Sequence, residues 1–111
     1  MPMINLKCSR EIPQDLLKEI SSIVAESIGK PEKYVMAVAA RADLVMSGTF
    51  GDAAYAEVKS IGGLGREVNQ EITGKLCALL GEHLEIPADR IYVTFQSMAA
   101  DHWGWNSSTF G

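Results

Sequence analysis

The chain begins MPMINL, with a proline directly after the first methionine. Initiator methionine is ordinarily removed before a small residue, and its loss would turn Pro2 into an amino terminus: a secondary amine in a rigid ring. An ordinary α-amino group titrates at about 7.7–8.0, and burial or a neighbouring cation pushes that value down. Once neutral, such an amine is a general base and a nucleophile toward carbonyls. While Met1 stays attached, the nitrogen is an amide and does neither. An N-terminal strand start explains the same proline equally well, so position alone leaves both readings open. The rest of the catalytic inventory is thinner. His83 and His102 belong to no closely spaced ligand set, and Asp15 and Glu19 share a helical face that should be solvated. Cys8 and Cys77 have neither disulfide-framework nor metal spacing and read as buried or half-buried thiols. The run IGGLGRE misses the spacing of both the dinucleotide and the phosphate-loop fingerprints.

The elements around these residues fit one domain of 111 residues. A formal charge of -4 argues against a broad basic surface for nucleic acid, although one or two lysines can still converge locally. No basic leader with an apolar core and no membrane-length apolar run occurs, so cytoplasmic residence is the expectation, with export lacking a signal peptide left open. Asn106-Ser107-Ser108 matches a glycosylation acceptor, which counts for little without a secretory signal.

Pro2 to Leu6 reads as a short strand. Pro13 reads as an early helical residue, followed by Leu16, Leu17, Ile20, Ile23, Val24 and Ile28 on one helical face, with Gly29 and Pro31 as stops. A strand YVMAVAA starts at Tyr34, a loop covers Leu44 to Asp52, and a third strand runs from Ala54 to Ile61. Val68, Ile72, Leu76, Leu79 and Leu80 mark a second helix, EIPADR turns the chain, and IYVTFQS is the last substantial strand. The tail HWGWNSSTFG has room for a very short strand. The order β-α-β, β-α-β reads as an α/β (α+β) sandwich with two helices on one face of a four-stranded mixed sheet, loosely duplicated. YVMAVAA has almost no polar position, as in a strand buried on both sides. Two helices cover one face only, so self-association is the expected cover for the other.

MPMINL, SIGKPEKYVM, VKSIGGLG, LEIPADRIYV and WGWNSSTFG together, in this order and across the whole chain, resemble the macrophage migration inhibitory factor family of the tautomerase superfamily. The resemblance implies a homotrimer whose sheets surround a channel, with sites at subunit interfaces. It implies that Pro2 is the catalytic base, and that Lys30 in GKP, the Ile61 backbone in SIG, and Tyr92 in RIY from the adjoining subunit contact substrate. Thr94 stands where the family has an asparagine. Tyr34, Phe95, Trp105 and Phe110 correspond to the aromatic pocket. Ala53 and Ala56 replace the C-x-x-C of some relatives, which removes the basis for thiol–disulfide activity. The implied reaction is cofactor-independent, metal-free keto–enol tautomerisation of a small aromatic α-keto acid such as phenylpyruvate, extending to dopachrome. The alternative is a secreted, cytokine-like ligand for a cell-surface receptor, in which turnover is secondary. A third reading is a structural or sequestering oligomer with a degenerate pocket, marked by retained Met1. No reading calls for nucleic acid or membrane insertion.

Overall fold

The computed structural model describes residues 1–111 and contains four long strands and two helices. These are β1 (Pro2–Cys8), α1 (Gln14–Ile28), β2 (Met36–Arg41), β3 (Ala54–Ser60), α2 (Arg66–Leu84) and β4 (Ile91–Ser97). A terminal hairpin follows, β5 (Gly104–Trp105) with β6 (Ser108–Thr109). The hairpin turns at Asn106 and Ser107, both at positive φ, as a two-residue turn matched to strand twist requires. The glycosylation-like triplet is therefore the turn itself.

The sheet order is β2-β1-β3-β4, with β1 parallel to β2, antiparallel to β3, and β3 parallel to β4. Period-two alternation sends Ile4, Leu6, Ala56 and Val58 beneath the helices, where they meet Ile20, Val24, Ile72, Leu76 and Leu80 in one buried core. The expected helical faces of α1 and α2 are the ones buried. Pro13 lies just outside α1, with φ -60° and ψ 151°, as the extended residue that leads into it.

The strand expected from Tyr34 begins two residues later, because Tyr34 ends a single 3₁₀ turn; β2 is an edge strand with helices over one of its faces. Its outward residues are apolar, with Met36 61% exposed. The other strands alternate normally: Asn5, Glu57 and Thr94 form one outward row and Met3, Lys59 and Gln96 another. Outward apolar residues are densest along β2, with Tyr92 exposed on β4 at the opposite edge.

The β2–β3 connection is fixed by Arg90 at the foot of β4. Its Nε donates to the Asp52 carbonyl (2.8 Å), Nη1 to the Met46 carbonyl (3.1 Å), and Nη2 to the Thr49 carbonyl (3.1 Å). The Asp52 carboxylate in turn accepts from Arg10 at 2.8 Å. Charge-assisted bonds to backbone are the strong kind, but truncation lets water reach these carbonyls. Arg90→Ala should therefore cost about 1–2 kcal/mol in denaturant unfolding. An unchanged midpoint would show that the loop holds itself.

Candidate active site

Three chain segments meet at the amino terminus, each for a local reason. Gly29 closes α1 at φ 79°, and both its N–H and that of Lys30 donate to the Ala25 carbonyl. This left-handed cap is one glycine adopts freely. It turns the chain out at Lys30, and Pro31 then starts the 3₁₀ turn Glu32–Tyr34.

The SIGG segment is held differently. Ser60 is wholly buried, and its hydroxyl donates to the Gly62 carbonyl at 2.7 Å. Gly62 and Gly63 both have positive φ, 75° and 81°. A Cβ on Gly63 would lie 2.6 Å from Ile28 Cγ2, so this turn is seated directly on the end of α1. The Ile61 N–H faces the terminus and donates to the Met1 carbonyl at 3.3 Å. The tail supplies the third segment, with the Trp105 and Phe110 rings stacked at 5.9 Å and 8°.

Between these segments lie two open cavities of about 580 and 600 Å³, sharing Met1, Tyr34 and Trp105 as a common wall. Both fall in the size range of small-molecule sites. Lys30, Ile61 and Phe110 line one; Pro2, Met3, Lys33 and Trp103 line the other. The Pro2 ring is fully buried at the seam. The terminal ammonium, on Met1, has its pKa lowered, first by burial and then by the positive charge of Lys30.

The residues named from sequence therefore divide. Pro2, Lys30, Tyr34, Ile61, Trp105 and Phe110 converge within one chain. Tyr92 and Thr94 do not. They lie on the open face of β4, with Tyr92 65% exposed and in register with Tyr55. The row nearest Pro2 holds Ser60 and Ser97, five residues along, or about 16 Å at 3.3 Å per residue. Phe95 differs from its expected place: it points to the helix side and packs against the core, because it alternates with Thr94.

Trp103, Lys33 and Met3 are cavity residues that sequence reasoning missed. W-G-W spacing puts residues 103 and 105 on one side of an extended segment, which was the available signal for Trp103. No group of three or more His, Cys, Asp or Glu side chains is arranged to hold a metal, and no helix is long and apolar enough to cross a membrane.

The family profile for macrophage migration inhibitory factor (MIF) matches residues 1–111. The chain belongs to the MIF family. The family member from Meriones unguiculatus is 38% identical, with 99% of each chain covered, and that from Xenopus laevis is 35% identical at the same coverage. Among solved structures, the MIF homologue from Prochlorococcus marinus superposes with a TM-score of 0.91 and 44% identity, covering 98% of this chain and 99% of that one. The MIF fold is thus the architecture described above, two helices on a four-stranded mixed sheet.

Proposed function

We propose that this MIF-family chain is a cofactor-independent keto–enol tautomerase of phenylpyruvate-like α-keto acids, with Pro2 as its base after loss of Met1. The observation that carries the reading is the environment of the terminus. Burial and Lys30 already lower the ammonium pKa at Met1, and the Pro2 nitrogen lies one residue further in, at a buried ring. Burial acts in the same direction on an imino group formed there, lowering its pKa and favouring the neutral form that accepts a proton.

The neutral Pro2 nitrogen takes a proton from the enol hydroxyl, or from the carbon next to the keto group, and returns it at the other position. Lys30 holds the substrate carboxylate. The Ile61 N–H donates to a carboxylate or keto oxygen and favours the charge that develops there. Tyr34, Trp105 and Phe110 shelter the ring. Tyr92 and Thr94 join this site only from a second copy, which supports a homotrimer with sites between subunits. The apolar edge at β2 supports the same assembly. Thr94 offers a shorter reach than an asparagine amide, which bears more on dopachrome than on phenylpyruvate.

The test pairs intact mass with turnover. Protein lacking Met1 should tautomerise phenylpyruvate, and protein retaining it should not. Full turnover by a chain that still carries Met1 would falsify the assignment.

Lys30→Ala gives a second check with a defined sign. A positive neighbour lowers the pKa of the Pro2 amine, so its removal raises that pKa. The rising limb of the pH–rate profile should then move to higher pH, with kcat/KM at pH 7 about tenfold lower, as for one pKa unit plus weaker carboxylate binding. A limb that stays in place would disconnect Lys30 from the base.

A further inference from the structure

We propose that Lys33 is a second anion-recognising residue of this site, selecting ligands that carry a second acidic group at the end remote from the keto acid. The inference rests on the function proposed above for its chemistry, but on separate observations for its geometry.

The two cavities have a common wall and a cation each, Lys30 in one and Lys33 in the other. Lys33 Nζ sits 5.1 Å from the centroid of the Tyr34 ring, which that wall presents. A cation over an aromatic face is attracted by the negative charge of that face. Neither lysine is in an ion pair. The adjoining carboxylate that could neutralise Lys33, on Glu32, instead accepts from the Ser22 hydroxyl of α1 at 3.1 Å. No carboxylate side chain lines either cavity. A chain of net charge -4 thus gathers two free ammonium groups around one aromatic partition.

The spacing in sequence accounts for this. Lys30 and Lys33 both leave the short connection between α1 and β2, Lys30 ahead of Pro31 and Lys33 from within the 3₁₀ turn Glu32–Tyr34. Met1 is one of the three residues common to both cavities, so its removal takes away part of the wall between them. A single anion needs one lysine; an elongated aryl dicarboxylate uses both. Trp103 and Trp105 supply flat apolar contact for the ring between its two charged ends.

Binding can be read without turnover. Titration calorimetry on Met1-free protein would compare phenylacetate with 4-carboxyphenylacetate, neither of which has a keto group. The diacid should bind about fivefold more tightly, as one added exposed ion pair allows. That preference should vanish in Lys33→Gln, and also in about 1 M salt, where the Debye length is about 3 Å. Equal affinities, no saturable binding of the diacid, or a preference that survives Lys33→Gln would each overturn the proposal. Circular dichroism of the variant guards against misfolding. Phenylpyruvate turnover, measured in parallel on wild type and a Pro2 variant, reports on the base alone. Selective binding without turnover sinks the tautomerase reading and spares Lys33; turnover without selectivity does the reverse.

Discussion

Pro2→Gly should lower kcat/KM for phenylpyruvate by about 10²-fold or more, the usual scale for a positioned proton-transfer group. Glycine also permits removal of Met1, so the variant still ends in an amine near Lys30. What it loses is the ring that fixes the nitrogen's direction and makes it a secondary amine. The ring is fully buried, so its deletion also leaves a small void. Thermal unfolding should accordingly fall by a few degrees, and rates are to be compared well below the lower midpoint. Activity equal to wild type in a folded variant would remove Pro2 as the principal base, whatever the fate of Met1.

Gly63→Ala should cost about 2–4 kcal/mol of stability, the largest of the three stability losses expected here. The backbone contributes first: at φ 81°, any L side chain is strained by roughly 1–2 kcal/mol. The added methyl then meets Ile28 Cγ2 at 2.6 Å. Ile28 is β-branched, mostly buried and at the last position of α1, so its methyl cannot swing away as the end of a lysine would. Something larger has to move, and that is the seam between α1 and the SIGG turn. Since Lys30 follows on one side of it and Ile61 precedes on the other, catalysis should weaken along with stability. A denaturant midpoint within error of wild type would mean the seam has slack, and that Gly63 serves only its own turn.

Much of this architecture was legible in the sequence because local and global signals agree. The apolar spacing in α1 and α2 and the stops at Gly29 and Pro31 each have one physical solution, and the fold adopts it. Tertiary placement was harder to read. The composition of YVMAVAA points to a face in need of a cover, but it does not tell a central strand from an edge one. Phe95 is tied to the pocket only by the family resemblance, whereas alternation with Thr94 turns it to the helix side. Lys33 was passed over because an isolated lysine on a short connection looks like any solvated charge. Only the cavities, with Tyr34 between them, give it a direction. Pro2 is a different case: its place in the chain fits a strand start as well as a terminal amine, and only the family resemblance points to the amine.

The peptide bond between Met1 and Pro2 carries more than the proline nitrogen. Its carbonyl oxygen is the acceptor for the Ile61 N–H, so the newly made chain arrives with its own peptide group seated where an incoming oxygen would dock. If Pro2 is the base proposed above, clipping off the first residue uncaps it and vacates the donor in one stroke. An unprocessed subunit would then be doubly silent, and chemical acylation of the trimmed terminus should silence it again by refilling the same two positions.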